Sequence, residues 1–503
     1  MFDAFIQGLL VILQWHTLAV MLLGIFLGFW VGLLPGLGGA TTLALMLPFI
    51  YKMSPVEAFA FLLGMHSVVA TTGDITSVLF GIPGEGTTAA TVLDGHAMAK
   101  KGEAGRALGA VLMSSLMGAL IGAFALAISI PIVRPLVLIF GSPELFMVAI
   151  LGIASISSLS GQEGRSLLRG LIAGLLGLLF ATVGEDPQAA MQRFTFGQLY
   201  LWSGLDLVPV LVGLFAIPEI VDLARRGKAI ADDVSVGHIS GVMEGVKDTF
   251  RHFWLTIRCS LIGTWIGILP GLGGAVAQWM AYAHAVQSAK DATDRDRFGK
   301  GDVRGVIGPG AANNSKEGGD LIPTIAFGVP GSSSMAILLA AFFMVGLVPG
   351  PDMLNKHLVL TFSMVWTLIL ANIITVAVSL ALLNQLAKLT RVRGSVLIPL
   401  ILFLAFIGSY TANNNPADLV TFLFFGFLGY LMIQCGWPRA PLVLGFVLGR
   451  IVESNFYIST ARYGTSWLHR PLVLLLMGLS IIVMVYPFLR FRRGEATGKE
   501  AIQ

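Results

Sequence analysis

Long stretches without charged residues are the feature that most constrains how this chain can fold. Asp, Glu, Lys and Arg are absent from residues 4–51, 107–133, 260–289, 321–351, 357–387, 394–417, 419–438 and 471–489. Each stretch reaches or exceeds the roughly 18 to 20 residues that a membrane-spanning helix needs. Only 12% of the 503 residues are charged, about half the share in a soluble globular protein. These patterns predict an all-α, polytopic membrane protein with about 10 to 12 transmembrane helices.

Apolar runs between Pro/Gly breaks and charge clusters predict where the chain crosses the membrane. The predicted spans lie near residues 17–34, 56–72, 104–129, 143–160, 166–183, 205–223, 253–269, 358–386, 396–412, 418–436 and 471–489. Shorter or interrupted apolar stretches are predicted to be half-helices or re-entrant hairpins, at 40–50, 75–99, 275–288, 303–313, 320–349 and 440–452. A polar segment then divides the chain into a first half (1–228), a cytoplasmic linker (229–252) and a second half (253–503).

The net charge of +4 does not indicate a nucleic-acid-binding protein. Lys and Arg occur in short loop clusters, which is typical of membrane topology signals, rather than in a basic stripe with interleaved aromatic residues. Cys259 and Cys435 are far apart and lack metal-ligand spacing, so we expect two buried free thiols rather than a disulfide or a zinc site. The N-terminal segment lacks the features of a signal peptide and is expected to remain on the protein.

An internal repeat is the most specific signal in the sequence. Residues 28–41 (GFWVGLLPGLGGAT) and 263–276 (GTWIGILPGLGGAV) are identical at about ten of fourteen positions. Further along, FGIPG at 80–84 matches FGVPG at 327–331, and a Gly-Asp pair precedes each of them. Each half of the chain is therefore predicted to contain two helix breaks in the same order.

The breaks predict a binding site at membrane depth. Proline removes a backbone donor and glycine permits non-helical dihedral angles, and unwound backbone is tolerated in a membrane only when it is buried or lines a cavity. The N-terminus of a half-helix after such a break favours an anion, while exposed carbonyl groups can coordinate a cation. The predicted substrate-binding residues are Pro35, Gly36, Gly38, Gly39, Thr41, Gly84 and Thr87 in the first half, and Pro270, Gly271, Gly273, Gly274, Asn313, Asn314, Ser315, Gly331, Ser332 and Ser333 in the second.

Acidic and hydroxyl residues beside the breaks are candidates for cation coupling. Carboxylates are costly inside a bilayer, by about 2.5 to 3.5 kcal/mol on insertion scales, and hard cations prefer oxygen ligands. The predicted coupling residues are Asp74, Thr76, Ser77, Glu317 and Asp320. Pairing of the carboxylates with nearby Lys or Arg side chains is the structural alternative. Glu85 and Asp94 are further acidic candidates, whereas His66 and His96 are expected to be structural.

Basic residues suggest that the two repeats have opposite orientations. The first half contains no Lys or Arg before Lys52, while the second begins beside Arg251 and Arg258. Under the positive-inside rule the two broken helices then start from opposite sides, which predicts inverted repeats. A basic C-terminal segment, 490–499, predicts that the C-terminus is cytoplasmic.

The motifs resemble those of a known family. LPGLGGA occurs twice, FTFG lies at 194–197, and the chain contains GDITSVLFGIPGEGTTAATVLDGHAMAKKGEAGRALG and GPGAANNSKEGGDLIPTIAFGVPGSSSMAILLAAF. Together they are similar to the large permease subunit of the tripartite tricarboxylate transporters, over about residues 15–440. The resemblance implies a bacterial inner-membrane importer of carboxylates that works with a small four-helix membrane subunit and a periplasmic binding protein. It also implies cation coupling, usually to sodium, with protons as the alternative, and no other cofactor.

Two other functions are alternatives to this interpretation. An intramembrane aspartyl protease would use the two Gly-Asp pairs as a carboxylate dyad, but the chain lacks the Tyr-Asp pair and the spacing of that signature, and the duplicated breaks would have no role. A tripartite-type permease for a solute that is not a carboxylate is the second alternative. No nucleophile elbow, Walker loop or HExxH motif is present, so enzymatic catalysis and ATP hydrolysis are not predicted.

Overall fold

Almost all regular structure in the chain is helical. The structure, a computed structural model, describes residues 1–33, 38–137, 139–154, 164–186, 191–226, 239–269, 273–389, 394–411 and 413–484. The helices of the first half are α1 (Phe2–Ile12), α2 (Trp15–Gly32), α3 (Gly39–Met46), α4 (Pro55–Phe80), α5 (Ala89–Lys100), α6 (Ala104–Val137), α7 (Ser142–Ala154), α8 (Gly164–Ala181) and α9 (Leu207–Arg226). Those of the second half are α10 (Val242–Arg251), α11 (Phe253–Ile268), α12 (Gly273–Gln287), α13 (Ala292–Arg295), α14 (Arg304–Phe327), α15 (Ser333–Met344), α16 (Leu358–Leu389), α17 (Gly394–Thr411), α18 (Ala417–Gln434), α19 (Arg439–Tyr463) and α20 (Pro471–Met484). One antiparallel pair of two-residue strands, β1 (Gly184–Glu185) and β2 (Gln192–Arg193), is the exception in the described part.

The all-α, polytopic prediction is confirmed. Six helices of the described part are long and apolar enough to cross a membrane: α2, α4, α6, α16 over Leu358–Leu383, α18 and α19. Eight further apolar helices are shorter, at Phe2–Ile12, Gly39–Ile50, Ser142–Ala154, Leu168–Ala181, Phe253–Ile268, Ser333–Met344, Ile401–Thr411 and Pro471–Met484. The predicted number of spans, about 10 to 12, therefore requires that several of the shorter helices also cross.

The sequence repeat is reproduced in the backbone. In the first half α4 ends at Gly81, whose φ is 68°, and in the second half α14 ends at Gly328, whose φ is 66°. Both residues are left-handed helix caps, a conformation that glycine adopts without steric cost. The two breaks after PGLGG also correspond, because α3 starts at Gly39 and α12 starts at Gly273. Equivalent sequence motifs thus form equivalent helix ends.

Three predicted interruptions are wrong. The stretch 75–99 is not a separate element, because its first residues belong to α4, which continues through Gly73 and Asp74 to Phe80. The stretches predicted separately at 303–313 and 320–349 belong in part to one buried helix, α14, which contains Pro309 and Pro323. The short segment predicted at 440–452 lies within the 25-residue helix α19. Polar residues interrupt the apolar pattern in these helices, but the backbone remains helical through them.

Two smaller expectations also differ from the structure. Cys259 is buried as expected, but Cys435, just after α18, is exposed. The predicted linker is partly outside the described residues, which omit 227–238. Its remaining part contains the helix α10, which packs against α6 through the buried Thr249 and Asp248.

The helices form two groups that we call the core bundle and the flanking bundle. In the core bundle α2 and α16 pack against α4, while α6, α11 and α12 pack against α14. In the flanking bundle α17 and α18 pack against α9, while α7 and α8 pack against α19. The short helices α3 and α15 contact both groups: α3 packs against α4 and α9, and α15 against α14 and α19. Two of the half-helices predicted from the breaks, α3 and α15, therefore lie between the two bundles, whereas a third, α12, packs within the core bundle.

The core bundle depends on close helix crossings at glycine. A Cβ atom added to Gly318 in α14 would lie 2.1 Å from the carbonyl oxygen of Gly122 in α6. Small residues at such crossings allow backbones to approach closely, which is the main source of helix association in a membrane. The Gly122–Gly318 contact thus fixes how α6 crosses α14.

Replacing Gly318 by alanine should destabilise the protein. The added methyl group has no space at the crossing, and overpacking of this kind costs about 1–3 kcal/mol. We expect a lower thermal unfolding midpoint for Gly318→Ala in detergent, measured by intrinsic fluorescence. Gly478→Ala is the matched control, because a Cβ atom at Gly478 meets nothing within 4 Å. Equal midpoints for the two variants would contradict the proposed packing role of the crossing.

Candidate functional site

Four helix N-termini face one cavity with a volume of about 860 Å³. They belong to α3, α12, α15 and the short 3-10 turn Gly86–Thr88 that leads into α5. The first turn of a helix leaves backbone N–H groups without intrahelical partners and carries a partial positive charge. Four such ends at one cavity provide several N–H donors that can bind an anion.

The cavity contains about half of the predicted substrate-binding residues. Nine of them line it: Gly38, Gly39, Thr41, Gly84, Thr87, Gly273, Gly274, Ser332 and Ser333. Four lie outside the described residues: Pro35, Gly36, Pro270 and Gly271. The other four, Asn313, Asn314, Ser315 and Gly331, lie behind the cavity wall.

Two of the residues behind the wall hold helices together. The side-chain amide of Asn314 donates to the Thr71 hydroxyl (Nδ2–Oγ1 2.6 Å) and to the side-chain carbonyl of Asn372. Asn314 therefore connects α14 with α4 and α16. The Ser315 hydroxyl donates to the Ala312 carbonyl (3.3 Å) and leaves no room for a side chain at Gly263 of α11.

Glycine is required where the second breaks touch the long helices. A Cβ atom at Gly84 would lie 2.4 Å from Cα of Gly73 in α4. At the equivalent place in the second repeat, a Cβ atom at Gly331 would lie 2.5 Å from the carbonyl oxygen of Gly267. These contacts press each turn against the core bundle, so that the residues after it face the cavity.

A pair of buried charged groups borders the cavity. Lys316 of α14 lines it, and its Nζ atom is 3.7 Å from Oδ2 of Asp320 one helical turn further on. His66 of α4 also lines the cavity, with Nε2 3.8 Å from Oε1 of Glu317. All four side chains are at most 3% exposed. Of the predicted coupling residues, Asp320 thus lies beside a lysine, the kind of partner that the structural alternative named, while Glu317 lies beside a histidine.

Asp74 lies in a different environment from those two carboxylates. Its Oδ2 accepts a hydrogen bond from the Asn313 amide (3.2 Å), and the Thr91 hydroxyl lies beside it. Within the described residues, Asp74 Oδ1, Asn313 Oδ1 and Thr91 Oγ1 are buried without a hydrogen-bond partner. The hydroxyls of Thr76 and Ser77 both donate to the Gly73 carbonyl at 2.9 Å. The amide and hydroxyl oxygens around Asp74 are thus the kind of ligands that a hard cation prefers.

Asp74 and Asp320 do not form a catalytic dyad. One carboxylate is bonded to an amide and the other lies beside an ammonium group. A dyad needs two carboxylates close enough to share a proton.

Asp94, a third acidic candidate, is a structural residue. It accepts hydrogen bonds from the backbone N–H groups of Gly301 (2.7 Å) and Asp302 (2.8 Å) and from the Tyr282 hydroxyl (3.0 Å). Asp94 therefore holds the loop that leads into α14 in place through hydrogen bonds.

The flanking bundle supplies a wall of the cavity that sequence reasoning missed. Phe215, Glu219, Trp437 and Arg439 line it. The Arg439 guanidinium lies over the Phe215 ring, 4.8 Å from its centroid, donates to the Leu214 carbonyl (3.1 Å), and is 3.5 Å from the Glu219 carboxylate. An arginine between two apolar segments was the available signal.

This fold and site define a polytopic membrane permease with a cavity that is lined by helix N-termini and lies between two helix bundles. A profile described as "Tripartite tricarboxylate transporter TctA family" matches residues 18–444. The chain belongs to this family of membrane transport components, which are not enzymes.

Two relatives from Agrobacterium vitis are similar to the chain. A protein described as "Uncharacterized 52.8 kDa protein in TAR-I ttuC' 3'region" is 33% identical over 484 residues, which is 95% of each chain. A protein described as "Uncharacterized protein in TAR-II ttuC' 3'region" is 31% identical over 239 residues, 46% of this chain and 98% of that protein. No solved structure matches the chain.

Loss of the buried Lys316 charge should destabilise the protein. Lys316→Met leaves Asp320 without its basic neighbour in a buried position, and breaking a buried pair costs about 3–5 kcal/mol. The double variant Lys316→Met/Asp320→Asn removes both charges and should recover most of the loss. Unfolding midpoints in detergent test this expectation, and a double variant no more stable than Lys316→Met would show that the pair is not coupled.

Proposed function

We propose that the chain is the permease subunit of a secondary active transporter that imports small carboxylates, such as tricarboxylates or dicarboxylates, across the bacterial inner membrane. The observation that carries this proposal is the convergence of four helix N-termini on one cavity. Such ends bind anions through backbone N–H groups, which need neither a change of protonation state nor a metal. Discontinuous helices that meet at a central site are also typical of secondary transporters.

The second repeat offers the most open anion subsite. The N-terminus of α12 faces the cavity, and Lys316 lies directly behind it: a Cβ atom at Gly274 would be 2.8 Å from Cε of Lys316. Ser332 caps α15 by accepting from the Met335 N–H group, while the adjacent Ser333 and Ser334 also line the cavity. One substrate carboxylate is proposed to bind between the α12 N-terminus, Lys316 and these hydroxyls.

The charges around the cavity favour coupling to a cation. Three buried or half-buried carboxylates, Glu85, Glu317 and Asp320, interact electrostatically with the ammonium group of Lys316, and Asp74 is a fourth, buried carboxylate within electrostatic range of Glu85. When all are ionised and His66 is neutral, this cluster carries three net negative charges. An anionic substrate that enters a poorly solvated site is repelled by that charge unless cations enter with it. The proposed coupling ion is Na⁺, with H⁺ as the alternative.

The proposed cation site is centred on Asp74. Its Oδ1, together with Asn313 Oδ1, provides two oxygen atoms without hydrogen-bond partners in the described part of the structure, and the Thr91 hydroxyl lies beside the same carboxylate. The Thr76 and Ser77 hydroxyls, one turn away, are proposed to hold the backbone at Gly73 in place. Glu317 and Asp320 remain proposed participants in coupling through their charges, beside His66 and Lys316.

Alternating access is proposed to arise from two inverted repeats. The equivalent helices α4 and α14 cross in antiparallel directions, because His66 contacts Glu317 whereas Asp74, further along α4, contacts the earlier Asn313. From the cavity, α3 and α15 lead to a second cavity of about 760 Å³, which Tyr51 and Met344 help to line. By contrast, α5 and α12 lead away from the first cavity to the Asp94–Tyr282 contact near the start of α14. This arrangement supports an inverted relation between the repeats.

Family membership also supports the proposed partners. A tripartite transporter has three components, and we propose that this permease works with a small four-helix membrane subunit and a periplasmic solute-binding protein. The C-terminus is proposed to lie in the cytoplasm, since the basic segment 490–499 follows the last predicted span.

Reconstituted uptake tests the proposed function. We expect saturable uptake of a labelled dicarboxylate or tricarboxylate by proteoliposomes that contain this chain and its small partner. Uptake should require both an inward sodium gradient and the binding protein. Potassium in place of sodium, and liposomes without the chain, are the controls.

Three results would contradict parts of this proposal. Failure of a panel of carboxylates in a folded preparation would overturn the substrate class. Equal uptake with a proton gradient and no sodium would overturn sodium as the coupling ion. Uptake that does not saturate would indicate a channel rather than a transporter.

The Asp74 site has its own test. Asp74→Asn keeps the side-chain shape but removes a charged oxygen ligand, so the sodium concentration for half-maximal uptake should rise about tenfold or more, equivalent to about 1.4 kcal/mol. Asp352→Asn is the matched control, because Asp352 is exposed and pairs only with Lys356 in a loop. Unchanged sodium dependence in a folded Asp74→Asn variant would exclude Asp74 as a cation ligand.

A further inference from the structure

The N-terminus of α3 is occupied by a carboxylate of the protein itself. The Gly39 N–H group donates to Oε2 of Glu85 at 2.9 Å, and the Thr87 hydroxyl donates to Oε1. Glu85 lies in the turn between α4 and α5, so it reaches from the second break of the repeat to the first. Both Gly39 and Glu85 line the main cavity. One of the four converging N-termini thus already binds an anion.

The equivalent position in the second repeat carries no carboxylate. Aligning GIPGEGTT with GVPGSSSM places Ser332 opposite Glu85. Ser332 uses its hydroxyl to cap its own helix, α15, through the Met335 N–H group. The N-terminus of α12 meets Lys316 and Thr87 instead of an acidic side chain. The internal carboxylate is therefore a feature of one repeat and does not follow from the shared architecture.

His66 is a second sign that the end of α3 is an anion subsite. Its side chain is buried and lines the cavity, and neither ring nitrogen makes a hydrogen bond within the described residues. A Cβ atom at Gly39 would lie 2.6 Å from its Nδ1 atom. The ring thus lies directly against the backbone that binds Glu85. An imidazole N–H beside a helix N-terminus is a further donor for a carboxylate.

Glu85 and α3 belong to parts of the protein with different packing. Glu85 lies in the turn between α4 and α5 of the core bundle, while α3 also contacts α9 of the flanking bundle. A hydrogen bond between them joins the core bundle to α3, a helix that also contacts the flanking bundle. A ligand that separates Glu85 from Gly39 would remove this link.

We propose that Glu85 is an internal carboxylate that holds the anion subsite at the α3 N-terminus while the cavity contains no substrate, and that a substrate carboxylate takes its place there. This inference rests on the proposed import of carboxylates and adds a second subsite to it. A substrate with two or more carboxylates then uses the α12 and α3 ends together. A monocarboxylate can bind at only one of these two ends, so the cavity favours dicarboxylates and tricarboxylates.

The first experiment tests the subsite without any transported substrate. The full-length permease and its Glu85→Ala and Glu85→Gln variants are heated in detergent with sodium formate or with sodium chloride of equal concentration. Glu85→Ala vacates the subsite, so about 100 mM formate should raise its unfolding midpoint by about 2 °C through preferential binding to the folded state. Wild type should not respond, and Glu85→Gln should respond less than Glu85→Ala, because a carboxylate or a more weakly bound carboxamide still fills the space.

Glu85→Gln is the matched control for charge. It removes the same negative charge as Glu85→Ala but leaves the volume filled. An equal response of the two variants to formate, or an equal response of Glu85→Ala to chloride and formate, would overturn the subsite. A folded Glu85→Ala variant without any response would do the same.

The second experiment tests displacement by substrate. In wild type, a bound dicarboxylate must compete with Glu85, so Glu85→Gln should bind a labelled dicarboxylate or tricarboxylate at least about threefold more tightly. The gain should be absent for acetate, which needs only the α12 end. Weaker or unchanged binding by Glu85→Gln would overturn displacement.

The two experiments separate failure of this inference from failure of the import function. If wild type and Glu85→Gln bind none of the carboxylates, the import function and displacement by substrate both fail. Formate binding to Glu85→Ala then still supports an anion subsite at α3. If wild type transports a carboxylate but Glu85→Ala ignores formate, the import function stands and the subsite does not.

Discussion

Backbone N–H groups at broken helices are the constraint on which the rest of this structure depends. In a membrane each unpaired polar backbone group costs several kcal/mol, so the chain must either continue its helices or provide partners for their ends. Here the ends of α3, α12 and α15 and the turn before α5 are gathered around one cavity. Donor groups at these helix ends that lack a partner can then be reached by an anion or by water. Bringing the ends together requires that the long helices around the cavity pack very closely.

The glycine motifs of the sequence predict the positions of these helix ends better than the hydrophobic pattern does. PGLGG marks the starts of α3 and α12 within two residues, and the second breaks coincide with the left-handed glycines that end α4 and α14, because proline and glycine act locally. The polar run from Asn313 to Asp320, in contrast, suggested a break where α14 is continuous. Helix continuity there depends on partners in α4, such as Thr71 for Asn314, that are 243 positions away in the sequence. No local pattern contains that information.

The difference between local motifs and contacts distant in sequence also explains which site residues could be predicted. Glycines and hydroxyls at the cavity could be predicted because their role follows from the break itself. Lys316, His66 and Glu85 could not be assigned, since the position of each at the cavity depends on a contact that is distant in sequence. Lys316 lies against Gly274 of α12, Glu317 lies 251 positions after His66, and Gly39 lies 46 before Glu85. A lysine in a chain with so few charges was a visible signal, although only the folded structure shows that it lies behind the α12 end.

The charged residues that line the cavity come from both bundles, so the distances between them depend on how the bundles are arranged. Lys316 and Glu85 belong to the core bundle, whereas Arg439 and Glu219 belong to the flanking bundle, and all four line one cavity. Relative movement of the bundles would therefore change the distances between these charges, and in the proposed transport cycle a bound anion with its cation changes which arrangement has the lower free energy. Because α3 contacts both bundles and leads to the second cavity, the same movement would shift the α3 end, where one of the two anion subsites is proposed. Substrate binding and access to the site are then linked through the same backbone groups.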